Sequence, residues 1–103
     1  MDGEGDRFEV HHMPADSSSK LDRNNGPAIK MDKADHRRTN SCGMSSEAQE
    51  YRNQQKKYID NGQFEKAQKM DIADINQKFG NKYDEAIFQM MAYTKQLKKE
   101  GKI

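Results

Sequence analysis

Apolar positions change their spacing part-way along the chain. In the second half they recur every three or four residues, the period of a helix with one buried face. Ala48, Tyr51, Gln55, Tyr58 and Ile59 share one face of a helix capped by Ser45 or Ser46 and ended by Asn61-Gly62. Phe64, Ala67, Met70, Ile75 and Phe79 mark a second helix that stops before Gly80. Tyr83, Ala86, Ile87, Met90, Tyr93 or Thr94, and Leu97 mark a third, closed by Gly101. The Met and Tyr residues of these stripes are expected in the core, because an amphipathic helix must bury one stripe.

The first half lacks that period. Arg7 to His12 alternates, with β-favouring Phe8 and Val10, and predicts a short strand that ends at the histidines and is stopped by Pro14. A polar, turn-rich stretch from Ala15 to Gly26 follows, then a second short strand over Pro27-Ala28-Ile29-Lys30-Met31. The two strands make a hairpin with a long loop. Asp32 is placed to cap a short helix over Lys33 to Asn40, and Gly43 ends the unit. The expected fold class is therefore α+β: a hairpin-plus-helix unit over residues 7–43, then about three packed α-helices over 45–100. Together they form a single domain, 7–103, behind a polar N-terminal segment, 1–6. No internal repeat or sustained heptad is present.

Composition thins the expected core. Of 103 residues 32% are hydrophobic and 34% charged, so stability has to lean on helix packing, a bound ion or a partner. A net charge of +1 lacks the overall basic excess of most nucleic-acid binders, although Lys30, Lys33, Arg37 and Arg38 outnumber Asp32 and Asp35 in one local patch. Cys42 is the only cysteine, which excludes an intramolecular disulfide and a cysteine-cluster zinc site, and its Ser/Thr/Gly-rich surroundings suit a small loop residue. No apolar run approaches the length of a membrane span. The polar start, Met1 to Asp6, just ahead of a dense motif, suggests a domain cut from a longer protein.

The candidate chemistry lies in three histidines. His11 and His12 stand side by side at a strand end, and His36 lies in the short helix. Neighbouring strand residues point to opposite faces, but a twist before Pro14 can bring both rings to one small volume. Imidazole serves as a base near neutral pH or as a ligand for divalent metals. Hydrolysis of a phosphodiester with one metal needs both roles, with coordination positions left open.

Three segments carry a family resemblance: His11-His12-Met13-Pro14-Ala15-Asp16, Gly26-Pro27-Ala28-Ile29-Lys30-Met31 and Asp35-His36-Arg37-Arg38-Thr39. Over about residues 8 to 43 the chain resembles the HNH/endonuclease VII superfamily, the ββα-metal nucleases. It looks in particular like the HHH-type nuclease domains at the C-termini of bacterial polymorphic toxins, and the helical tail from Ala48 to Leu97 has the look of such domains. The resemblance implies an endonuclease in which His12 activates water while His11 and His36 hold one divalent ion, Mg, Mn, Ni or Zn. A further ligand is common in the family four residues after the helix histidine. That position is Asn40 here, with Asp35, Asp16 and water as alternatives. Arg37 and Arg38 are placed to grip flanking phosphates, unless one pairs with Asp32 or Asp35, and Lys30 and Lys33 add attraction to the backbone.

The implied substrate is DNA, with RNA as an alternative. The implied setting is interbacterial competition: a toxin domain secreted by a bacterium, delivered into the target-cell cytoplasm and restrained by a cognate immunity protein. A different class of function remains beside it, a helical binding or interaction module in which the histidines hold a purely structural metal or are incidental.

Overall fold

A computed structural model describes residues 7–103 of the chain; the polar segment 1–6 lies outside the described residues. The order of elements is β1 (Phe8–His12), β2 (Ala28–Asp32), α1 (Lys33–His36), α2 (Ser46–Asp60), α3 (Phe64–Phe79) and α4 (Asp84–Lys99). Two 3-10 turns, Asp16–Ser18 and Arg23–Asn25, interrupt the connection between the strands. This is an α+β arrangement, and the boundaries fall within a residue or two of those expected except at α1.

The strands pair antiparallel, with Phe8 opposite Asp32, Val10 opposite Lys30, His11 opposite Ile29 and His12 opposite Ala28. Partners directly opposite share a face. His11, Ile29 and Met31 are buried on the inner face, where Glu9 also lies, whereas Val10 and Lys30 are exposed on the outer one. Met13, Ile29 and Met31 then meet Ile75 of α3 and Tyr83, Ile87 and Met90 in one apolar cluster. Hairpin and helices therefore share a core.

The expected helix over Lys33 to Asn40 is cut to one turn. After His36 the backbone tightens into 3-10-type bonds, Arg38 N–H to Asp35 O at 3.0 Å and Thr39 N–H to His36 O at 3.1 Å. The Thr39 hydroxyl adds a bond to His36 O at 2.7 Å, and Asn40 N–H leaves the helix altogether for Asp74 Oδ2 on α3 at 2.8 Å. Asp32 makes no side-chain cap; its carboxylate is held by Lys82 Nζ at 2.8 Å instead. Tertiary partners have outbid the local signal.

The longer helices keep theirs. Ser45 Oγ caps α2 by accepting Ala48 N–H at 3.1 Å. Gly62 and Gly80, at φ of +75° and +60°, end α2 and α3 in conformations that β-carbon-bearing residues avoid. On α4 it is Thr94 that turns inward while Tyr93 stays exposed. The helix interface carries a polar layer as well as the thin apolar core: Gln55, Gln68, Asp71, Asp74 and Thr94 are all buried. Gln55 Nε2 donates to Ala67 O and to Asp71 Oδ2, and Tyr51 OH donates to Asp71 Oδ1 at 2.9 Å. Among the described residues no helix is long and apolar enough to cross a membrane.

Candidate functional site

The connection between the strands is long and irregular, yet hydrogen bonds to the helices pin it. Gln55 Oε1 accepts Ala15 N–H, Gln68 Nε2 donates to Met13 O, and Ser18 Oγ donates to Arg52 O at 2.7 Å. At the other end Tyr93 OH donates to Asn25 O. Residues of this connection, together with Val10, His36, the 41–44 segment and Arg52, line an open cleft of about 520 Å3 that takes in all three histidines. His11, His12 and His36 thus all face one cleft, although not as a three-ligand cluster.

Each ring sits in a different setting. His12 Nε2 lies 2.9 Å from the carbonyl oxygen of Arg23. A carbonyl only accepts, so Nε2 carries the proton in the neutral ring and Nδ1 keeps a free lone pair. His36 Nδ1 lies 2.7 Å from Glu9 Oε1, which by the same reasoning leaves its Nε2 as the lone-pair nitrogen. His11 is 2% exposed, and its Nε2 is buried with no hydrogen-bond partner. The His11 and His36 rings lie 5.0 Å apart, centroid to centroid, tilted by 59°.

Burial, with the charges that His36 and His12 would carry, lowers the His11 pKa to about 3, so that ring stays neutral over the whole physiological range. The bond from His36 holds the Glu9 carboxyl below its ordinary value, with Arg37 adding to the effect through a bond of 3.3 Å. An orphaned, neutral, buried imidazole nitrogen beside a second imidazole oriented by a carboxylate suits a divalent metal. The carboxylate-to-histidine bond is the usual outer support of such a ligand. The fit is a partial one. Among the described residues no group of three His, Cys, Asp or Glu side chains converges to hold an ion, so two ring nitrogens would leave the remaining positions to water or substrate.

Other expected site residues are placed elsewhere. Asn40 does not line the cleft: with α1 ended at His36 it no longer follows one helical turn behind that ring, and its Oδ1 accepts from Lys78 Nζ at 2.8 Å. Asp35 Oδ2 accepts from Lys82 Nζ and from Tyr83 OH, at 2.7 Å each, while Asp16 does line the cleft. Arg37 pairs with Glu9, rather than with Asp32 or Asp35. The Arg38 guanidinium lies over the Phe79 ring and the Lys30 ammonium over Phe8. None of Arg37, Arg38 and Lys30 lines the cleft, whose cationic side chains are Arg23 and Arg52.

Glu9 and Arg52 were absent from the sequence-based site. Glu9 had a usable signal, since residues two apart on a strand share a face and Glu9 stands two before His11. Arg52 had none, lying in the helical half that carries no motif. Comparison of the chain with protein-family models, with curated proteins and with solved structures found no match.

Proposed function

We propose that the protein is a metal-dependent endonuclease of the ββα-metal kind, hydrolysing phosphodiester bonds in the histidine cleft. One observation carries the reading: three imidazoles line one cleft, two of them with one ring nitrogen held by an acceptor and the third with a buried, unpartnered nitrogen. His12, with Nε2–H on the Arg23 carbonyl, offers Nδ1 to a water molecule. His36, with Nδ1–H on Glu9, offers Nε2, and His11 Nε2 is buried without a partner.

In this mechanism His12 Nδ1 takes a proton from the attacking water as its oxygen bonds to phosphorus. The bond from phosphorus to the leaving sugar oxygen breaks, and that oxygen departs with the electron pair and gains a proton from solvent. Arg23 O keeps the His12 ring in the tautomer that can accept, and Glu9 keeps His36 oriented. A divalent ion held by His11 and His36 would supply positive charge against the developing charge on the phosphate and leaving oxygens. An open arrangement of this type suits catalysis better than a structural site, which is closed by four protein ligands.

DNA as the substrate rests on the resemblance of segments 11–16, 26–31 and 35–39. So does the role of a toxin domain delivered by a secreting bacterium and neutralised by an immunity protein. The test is cleavage of supercoiled DNA and of RNA by the purified protein, scanned over Mg2+, Mn2+, Ni2+ and Zn2+ with a chelator control. Cleavage that needs metal and is abolished by His12→Ala, with the circular dichroism spectrum retained, is the expected result. Cutting undiminished by that substitution would remove His12 as the base, and no cutting of either nucleic acid would remove the nuclease reading.

A further inference from the structure

The cleft needs a cation for the anionic strand, and the basic residues nearest His36 in sequence do not supply it. Arg37 is paired with the Glu9 carboxylate, and Arg38 and Lys30 rest on aromatic rings away from the cleft. Arg52 differs in three respects. It lines the cleft with the histidines although it comes from α2, outside the segments that carry the resemblance. No carboxylate pairs with it among the described residues, so its charge is not cancelled by a protein partner.

Its geometry is also set in advance. Arg52 Nη1 donates to Ser41 O and to Gly43 O, at 2.7 Å each, which uses both hydrogens of that nitrogen and ties the guanidinium to a turn that itself lines the cleft. Nε and Nη2 then retain three N–H groups that no described residue accepts. A guanidinium edge with free Nε and Nη2 matches two oxygens of one phosphate, and a side chain already immobilised loses little further freedom on binding. Arg23, the other cation of the cleft, is anchored only through its backbone carbonyl on His12.

We propose that Arg52 is the phosphate-binding residue of the histidine cleft, holding a backbone phosphodiester of the substrate strand through Nε and Nη2 while Nη1 stays on the 41–43 turn. The inference rests on the nuclease reading. It places the helical half of the chain in substrate recognition, with His11, His12 and Glu9 on the hairpin, His36 on α1, and the phosphate contact on α2.

The test uses His12→Ala protein, in which hydrolysis is blocked, and a short labelled oligonucleotide of whichever nucleic acid the wild-type protein cuts. Binding is measured over a range of salt concentration with and without Arg52→Gln. Loss of one phosphate contact is expected to weaken binding roughly 10- to 100-fold and to reduce the slope of log affinity against log salt by just under one, with Mn2+ affinity by calorimetry unchanged. A purely structural role in holding the 41–43 turn would leave the slope as it was, and an unchanged slope overturns the proposal. Should the Gln variant fail to fold, Arg52→Lys, which keeps the charge, is expected to retain the slope with affinity lowered roughly 5- to 20-fold for want of the paired donors; affinity equal to that of the parent overturns it. Wild-type protein that cuts neither DNA nor RNA removes the nuclease reading and Arg52 with it, whereas metal-dependent cutting with an unaltered slope removes Arg52 alone.

Discussion

His36 is tied to Glu9 by a 2.7 Å bond from its ring Nδ1 to the carboxylate Oε1, which joins α1 to the inner face of β1. The bond does two things at once. It holds the ring in place, 5.0 Å from the buried His11 ring between centroids, and it assigns the proton to Nδ1 so that Nε2 is left as a lone-pair donor.

Glu9→Gln should therefore weaken metal binding and cleavage together, by roughly 10- to 100-fold, because an amide can accept the bond without the charge that raises the basicity of the ring. The fold should survive, since Glu9 is partly exposed and outside the apolar cluster. Calorimetric titration with Mn2+ beside a cleavage assay checks this; unchanged metal affinity would assign the pair to structure alone.

His11 sets function against stability. Its Nε2 is buried without a partner, an arrangement that costs the metal-free fold about 1–3 kcal/mol. His11→Leu should abolish cleavage yet leave the metal-free protein at least as stable, by about 1 kcal/mol, as read by urea unfolding in a chelator. Strong destabilisation would mean that the ring is held by contacts other than an ion.

Asn40→Ala separates the family expectation from the observed geometry. With Oδ1 accepting from Lys78, the side chain serves the junction between the 38–40 turn and α3. Metal affinity should stay within about twofold, and stability should fall by about 1 kcal/mol in thermal unfolding. A large loss of metal affinity with normal stability would restore Asn40 as a ligand.

Asp71 should impose a pH dependence on stability. Burial pushes its carboxyl from 3.8 up to about 7, against the bonds from Gln55 and Tyr51 that favour the charged form and with Asp74 adding to the rise. The native state thus holds this proton more tightly than the unfolded chain does. The contribution is complete below the unfolded value of 3.8 and is lost as pH rises through about 7, on the order of a few kcal/mol across that window. Asp71→Asn, compared with wild type in urea titrations from pH 5 to 8, should flatten the decline. Parallel curves for the two proteins would show that Asp71 is already charged at pH 5.

Much of this architecture was legible locally. The period of Ala48, Tyr51 and Gln55, the cap at Ser45 and the glycines at 62 and 80 specify helices through neighbours three or four residues away, and the strands follow from alternation. The histidine trio was legible too, because so few residues of the chain carry that chemistry.

What each histidine nitrogen faces was decided only by the tertiary structure. Glu9 meets His36 across 27 positions and Tyr83 meets the Asp32 N–H across 51, separations over which no local pattern operates. The same distant partners overturned local signals: Asp74 drew the Asn40 backbone out of α1, and Lys82 took the carboxylate of Asp32 that was placed to cap it. Local chemistry determines which backbone conformations are cheap. Packing determines which buried donors and acceptors must find each other, and that second requirement brought Arg52 of α2 to the histidine cleft.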